Sequence, residues 1–213
     1  MVYYNAEYVK RIIDCQHETL TDSIQARYFL SIELKNASNK IATFIMMNPS
    51  KADQNISDIT VNKLIKFAFT KGRGNIGIIQ IVNLFPFYET NSPNLQAIIN
   101  RVQNNNTLNL EDIISNNNNI IFKSLEESKW TILAWGDPSE NIDIDLHQTQ
   151  CRSIIKHIKN IDNSNIYVIK THYKNILTNN GYPRHPSRPA LNGFKKCKIN
   201  KDNNIVIGEK IRH

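Results

Sequence analysis

Cysteine is scarce in this chain. Only three occur among 213 residues, Cys15, Cys151 and Cys197, and no two form a Cys-x-x-Cys pair. That scatter argues against a disulfide framework or a zinc ribbon, and the three read as free thiols of a reducing cytoplasm. The six histidines are dispersed without a His-x-x-x-His pair, so no zinc site is indicated and no metal is expected. No apolar run approaches the roughly 20 residues of a membrane-spanning helix. The N-terminus lacks the basic-then-apolar layout of a signal peptide. The expectation is a cytoplasmic protein with no membrane partner. No internal repeat or linker interrupts the chain, so a single domain over 1–213 is expected, with its core at about 28–204 and a monomer as the working unit.

What is present begins with length and charge. A chain of 213 residues is long enough for one domain with a full core. The net charge of +7 and pI near 9.3 point to an anionic partner, although a lysine-biased soluble surface explains them equally well. Asn, Ile and Lys abound, a bias that an AT-rich genome produces without reference to function. The run Asn116 to Asn119 reads as a solvated turn or insertion.

Hydrophobic periodicity alternates between two and 3.6 residues along the chain. Val9, Ile12 and Ile13 suggest an N-terminal helix over Tyr3 to Cys15. Tyr28 to Leu34 reads as an edge strand, paired antiparallel with Ile41 to Met47 across the Asn36-Ala37-Ser38-Asn39 turn. Val61, Leu64, Ile65 and Ala68 recur at helical spacing after Asp58, a helix N-cap. Ile76 to Leu84 is a strand, Pro93 to Val102 a helix opened by Ser92 and Pro93, and Leu108 to Leu125 an interrupted helix. Thr131 to Trp135, a helix near Leu146 to Ile161, and Ile166 to Lys170 complete the pattern. Such alternation argues a central, mostly parallel sheet flanked by helices.

Two polar segments follow apolar strands. Met46-Met47-Asn48-Pro49-Ser50 ends the run from Ile41, because proline cannot continue a ladder and Asn and Ser favour turns. His185-Pro186-Ser187-Arg188-Pro189 lies in the loop after Ile166 to Ile169. Between them come Ile78 to Leu84, with Asn83 near its end, and Ile132-Leu133-Ala134-Trp135-Gly136. Gly193-Phe194-Lys195-Lys196-Cys197 follows. In this order and spacing, over roughly Phe44 to Asn204, the segments resemble the motifs of the uracil-DNA glycosylase superfamily. The first is similar to the Gly-Ile-Asn-Pro-Gly of its mismatch-specific branch, with Met46 for the opening glycine. The last is similar to His-Pro-Ser-Pro-Leu.

That resemblance implies a three-layer α/β/α fold around a central, mostly parallel four-stranded sheet, here with an added N-terminal edge strand. It implies a monofunctional DNA glycosylase acting on DNA without cofactor. Some relatives carry an iron–sulfur cluster on four cysteines, which three cannot supply. Asn48 is suited to position the attacking water, and is a poor general base. The acid then needed is Asp53 or Asp58, with capping the favoured role for Asp58. His185 donates to the leaving base, where anionic charge accumulates. Backbone amides around Met47, with Pro49, line the base. Asn83 reads a base edge through its paired amide donor and acceptor, and Phe85 is an aromatic for stacking. Ser187, Arg184, Arg188, Lys195 and Lys196 form a phosphate-binding rim. Structural turns account for Asn48 and Asn83 as well.

Two departures bear on substrate. Thr60 stands where a stacking Phe is expected. Ser50 stands where uracil-specific relatives carry a Tyr that blocks pyrimidine C5. A small gate admits a bulky C5 group, which suggests hydroxymethylated or glucosylated cytosine in phage DNA and a role in antiviral defence. Repair of uracil or mismatched thymine, and a non-catalytic nucleic-acid-binding module, remain the alternatives.

Overall fold

The computed structural model describes residues 1–90, 94–161 and 164–208. In chain order its elements are β1 (Val9–Thr21), β2 (Ile24–Leu34), β3 (Ile41–Met46), α1 (Ile59–Lys71), β4 (Ile78–Asn83), α2 (Leu95–Gln103), α3 (Leu110–Glu127), β5 (Trp130–Leu133), α4 (Ile144–Asn160), β6 (Ile166–Thr171), β7 (Leu191–Ile199) and β8 (Ile205–Ile207). All eight strands form one sheet in the order β1-β2-β4-β3-β5-β6-β7-β8. Neighbours within β4-β3-β5-β6 run parallel, and the flanking pairs run antiparallel.

This overturns the expected three-layer fold around a four-stranded, mostly parallel sheet: the sheet has eight strands and is mixed. The difference arises at its two ends. The N-terminal helix expected over Tyr3 to Cys15 is instead coil and turn up to Tyr8 and then the start of β1. Register shifts between Val9 and Arg11 and between Ile12 and Asp14 each insert an extra residue. Val9, Ile12 and Cys15 therefore pack on one side at a spacing of three, which imitates a helical period. At the other end, Leu191 to Ile199 shows no clear apolar period because lysines separate its apolar residues, yet it pairs along β6.

The expected pairing of β2 with β3 is also wrong. β4 lies between them, antiparallel to β2 and parallel to β3, so β2 is an interior strand. Asn116 to Asn119 is not a solvated turn. It lies within α3, which runs without interruption. Asn117 is fully buried and donates to the carbonyls of Asn83 and Leu84 (3.0 and 3.2 Å). Ser92 and Pro93, expected to open α2, lie outside the described residues.

Side chains alternate across β3, and both faces are buried. Phe44 and Met46 join Ile79, Ile81 and the α1 residues Val61, Leu64, Ile65 and Ala68 in one apolar cluster. Ile45 joins Val82, Leu133, Trp135 and the buried residues of α2, α3 and α4 in the other. α1 starts where the sequence places it, with the Val61 N–H donating to Asp58 Oδ1 at 2.8 Å. Among the described residues, no helix is long and apolar enough to cross a membrane.

Candidate functional site

The parallel strands β3, β5 and β6 end on the same side of the sheet, and their exits frame a cleft. In sheets of this kind the crevice beyond the strand carboxyl ends is where loops converge on a ligand. Met47, Trp135, Gly136, Asp137, Tyr173, Arg184, His185, Ser187 and Arg188 are among the residues lining a cleft of about 760 Å³. A smaller pocket of about 170 Å³ lies near the strand starts, between Ile76, Trp130, Tyr167 and Phe194, and gathers no residue of the Asn-Pro-Ser or His-Pro-Ser segments.

The first motif is tied down through its backbone. Leu84 N–H donates to the Met46 carbonyl (2.8 Å), Phe85 N–H to that of Met47 (3.0 Å) and Glu89 N–H to that of Pro49 (2.9 Å). Asn48 is 9% exposed. Its Nδ2 donates to the carbonyls of Pro49 (3.0 Å) and Glu89 (2.7 Å). Both bonds use the nitrogen, so the amide orientation is fixed and Oδ1 is the acceptor it can offer.

Beneath this loop lies a second network. Arg27 is fully buried, and its Nη1 donates to the Ala52 carbonyl (2.5 Å), which also accepts from Tyr88 Oη (3.2 Å). Asp58 Oδ2 accepts from the N–H groups of Lys51 (3.4 Å) and Ala52 (3.3 Å) while Oδ1 caps α1. The Ala52 peptide is thus held at both ends by buried charge. Asp53 Oδ1 accepts from Asn55 and Ile56 N–H (2.7 and 2.9 Å), and the Asp53 carbonyl accepts from Tyr4 Oη. Both acids proposed to assist Asn48 are engaged in building this loop, and neither lines the cleft.

The second motif is built around His185, which lines the cleft and is partly exposed. Its Nδ1 accepts from the Ser187 N–H (3.3 Å) and contacts Ser187 Oγ (2.9 Å). A neutral imidazole with Nδ1 accepting carries its proton on Nε2. Desolvation pushes this imidazole down to about 4; the Asp58 charge opposes the shift, and Lys63 and Arg188 add to it. At neutral pH, His185 is therefore an uncharged Nε2–H donor. Gly136 allows its placement: φ is +80°, and a Cβ there would sit 2.9 Å from that of His185. Its N–H donates to the Pro183 carbonyl at 2.8 Å.

The other expected site residues divide. Met47, Ser187, Arg184 and Arg188 line the cleft with His185. Arg184 is a loop clasp. Its Nε and Nη2 donate to the carbonyls of Asn175 (2.9 Å) and Leu177 (3.0 Å), and its guanidinium covers the Tyr173 ring at 4.4 Å. Lys195 and Lys196 sit on β7, opposite Val168 and Tyr167 of β6, and do not line the cleft. Phe85 is fully buried in the apolar cluster and presents no free face for stacking. Pro49 is buried and Ser50 partly exposed. Asn83 is fully buried beside Met46, and among the described residues neither of its amide atoms has a hydrogen-bond partner. The buried Trp135 Nε1 is likewise unpaired.

Two residues escaped sequence reasoning. Lys63 on α1 donates to the Ser187 carbonyl (3.1 Å), tying the second motif to the helix that Asp58 caps; no local pattern announces it. Asp137 lines the cleft, and its Oδ1 accepts from Thr178 Oγ1 (2.7 Å) and Asn180 Nδ2 (3.2 Å). Its position directly after the strand-ending Trp135-Gly136 was the available signal. Among the described residues, no group of three or more His, Cys, Asp or Glu is placed to hold a metal ion.

A family model described as a protein of unknown function (DUF1643) matches residues 27–187. That span runs from the buried Arg27 to the Ser187 that holds His185. No curated protein and no solved structure matches the chain.

Proposed function

We propose that this chain, which belongs to the DUF1643 family, is a monofunctional DNA glycosylase that hydrolyses the N-glycosidic bond of a modified pyrimidine. The observation that carries the reading is His185, an imidazole in the cleft at the strand ends whose Nδ1 accepts from the Ser187 N–H, which leaves Nε2 to donate. Cleaving the C1′–N bond leaves the electron pair on the base. A fixed, uncharged N–H donor stabilises that developing anion without first forming an ion pair with a phosphate. Asn48, its amide oriented by two backbone bonds, does not itself line the cleft but directly follows Met47, which does; on this reading its Oδ1 holds a water below the sugar. Arg188, Lys63 and Ser187 around His185 suit the flanking phosphates.

The cleft of about 760 Å³ is of the size that holds a drug-sized ligand and leaves room beyond a single base. That supports a pyrimidine with a bulky C5 group, such as the hydroxymethylated or glucosylated cytosine of phage DNA. The test is base release from matched duplexes carrying uracil, a thymine mismatch, hydroxymethylcytosine or glucosylated hydroxymethylcytosine. Release of a C5-modified base, reduced at least about 100-fold in His185→Ala as expected for loss of a general acid or oxyanion donor, is the expected result. Release of uracil or mismatched thymine makes it a repair enzyme. Duplex binding with no release from any substrate overturns the enzymatic reading in favour of a binding module.

A further inference from the structure

The cleft holds a carboxylate that the motif resemblance does not name. We infer that Asp137 is the acid of this cleft: its carboxylate takes the proton of the attacking water and faces the cation that forms at C1′. This rests on the glycosylase reading above.

Three observations lead to it. First, Asn48 supplies an amide, which orients water and cannot hold its proton. Second, the two acids of the adjoining loop are occupied. Asp53 closes a turn on Asn55 and Ile56, and Asp58 caps α1 and binds the Lys51 and Ala52 amides. Moving either would dismantle the loop that carries Asn48. Third, Asp137 lines the same cleft as Met47 and His185, whereas Asn48 adjoins that lining only through its neighbour Met47. It follows Gly136, the residue whose missing Cβ lets His185 approach. Its Oδ1 is fixed by Thr178 and Asn180, so the carboxylate is oriented before a substrate arrives, as effective electrostatic catalysis requires. Glu140 also lines the cleft, three residues further along the loop, but Asp137 is the one whose carboxylate is held by Thr178 and Asn180.

The step balances without cofactor. A water oxygen bonds to C1′ as the C1′–N bond breaks, and the bonding pair leaves with the base. The water proton passes to Asp137, and the base anion, held by His185 Nε2–H, is protonated from solvent. The products are the free base and an abasic sugar bearing a 1′-hydroxyl. No lysine is attached to the sugar at any stage.

The test is single-turnover base release by Asp137→Asn, which keeps an oxygen for Thr178 and Asn180, alongside the equilibrium binding of the uncleaved duplex. A rate at least about 100-fold below wild type, in the range expected of a general base, with binding changed by less than about threefold, is the expected result. In Asp137→Ala, added formate restores a measurable part of the rate, which a purely structural residue would not allow; this arm decides the matter if Asp137→Asn does not fold. A wild-type rate in Asp137→Asn, or a rate loss matched by an equal loss of binding, overturns the inference while leaving the glycosylase reading intact. If wild-type protein releases no base from any duplex, the glycosylase reading itself fails.

Discussion

Histidine 185 shows how a single residue acquires its chemistry from neighbours distant in sequence. Ser187 sets its tautomer, Gly136 gives it room, and the cleft wall shields it in part from water. Gly136→Ala places a methyl group 2.9 Å from the His185 Cβ at a φ of +80°. We expect it to lower stability by about 1–3 kcal/mol and to displace the imidazole. A urea-unfolding midpoint equal to wild type would contradict this. His147 is fully buried, and desolvation lowers it, like His185, from 6.5 to about 4. Between those values the unfolded chain binds protons that the folded chain does not. Stability should therefore be complete above pH 6.5 and fall as pH drops towards 4. The unfolding midpoint at pH 4.5 should lie below that at pH 7, and an NMR titration should find both imidazoles still neutral at pH 5.5. At this scale the sequence singled out Asn48 and His185 because the first motif closes β3 and the second lies in the loop between β6 and β7. It was silent on Lys63, since nothing in a lone helical lysine indicates which distant carbonyl it reaches.

At the scale of elements, the loop after β3 is held from below. Asp58 serves as helix cap and as acceptor for two loop amides. Asp58→Ala should cost about 2 kcal/mol, the upper end for a cap, because the loop amides lose their acceptor as well. A loss of only a few tenths would show that the loop holds itself. α3 is anchored to the end of β4 by Asn117, whose Nδ2 serves the carbonyls of Asn83 and Leu84. Asn117→Leu leaves one of those buried acceptors short of a partner and should cost about 1–3 kcal/mol, read from the same denaturant midpoints. The sequence concealed this anchor, because an asparagine run has the composition of a loop and only burial shows that one of its members faces inward. Element types were legible where one period persisted, as in α1 and α4. They were not legible in β1, whose bulges turned a period of two into three, or in β7, whose lysines hid its pairing with β6.

Across the whole molecule, the eight-stranded sheet fixes which charges share a surface. The net charge of +7 is spread over the chain, but the cleft brings together Arg184, Arg188 and the Lys63-bound Ser187, and β7 carries Lys195 and Lys196 away from it. If the cleft is where DNA docks, duplex affinity falls with salt. Replacing Arg188 by Ala then lowers the slope of log affinity against log salt by about 1, whereas Lys195→Ala leaves it unchanged. Equal effects of the two would mean that DNA lies across β7. Pairing order could not be read from the sequence, because β2 and β3 are consecutive and joined by an ordinary turn, and only the folded chain shows β4 between them. The most direct measurement is a structure with a duplex carrying a C5-modified cytidine, made non-hydrolysable by a 2′-fluoro sugar. The expectation is the modified base flipped into the cleft, its carbonyl facing His185 Nε2 and its sugar against Asp137. A base left stacked in the duplex, or one bound elsewhere on the protein, would contradict it.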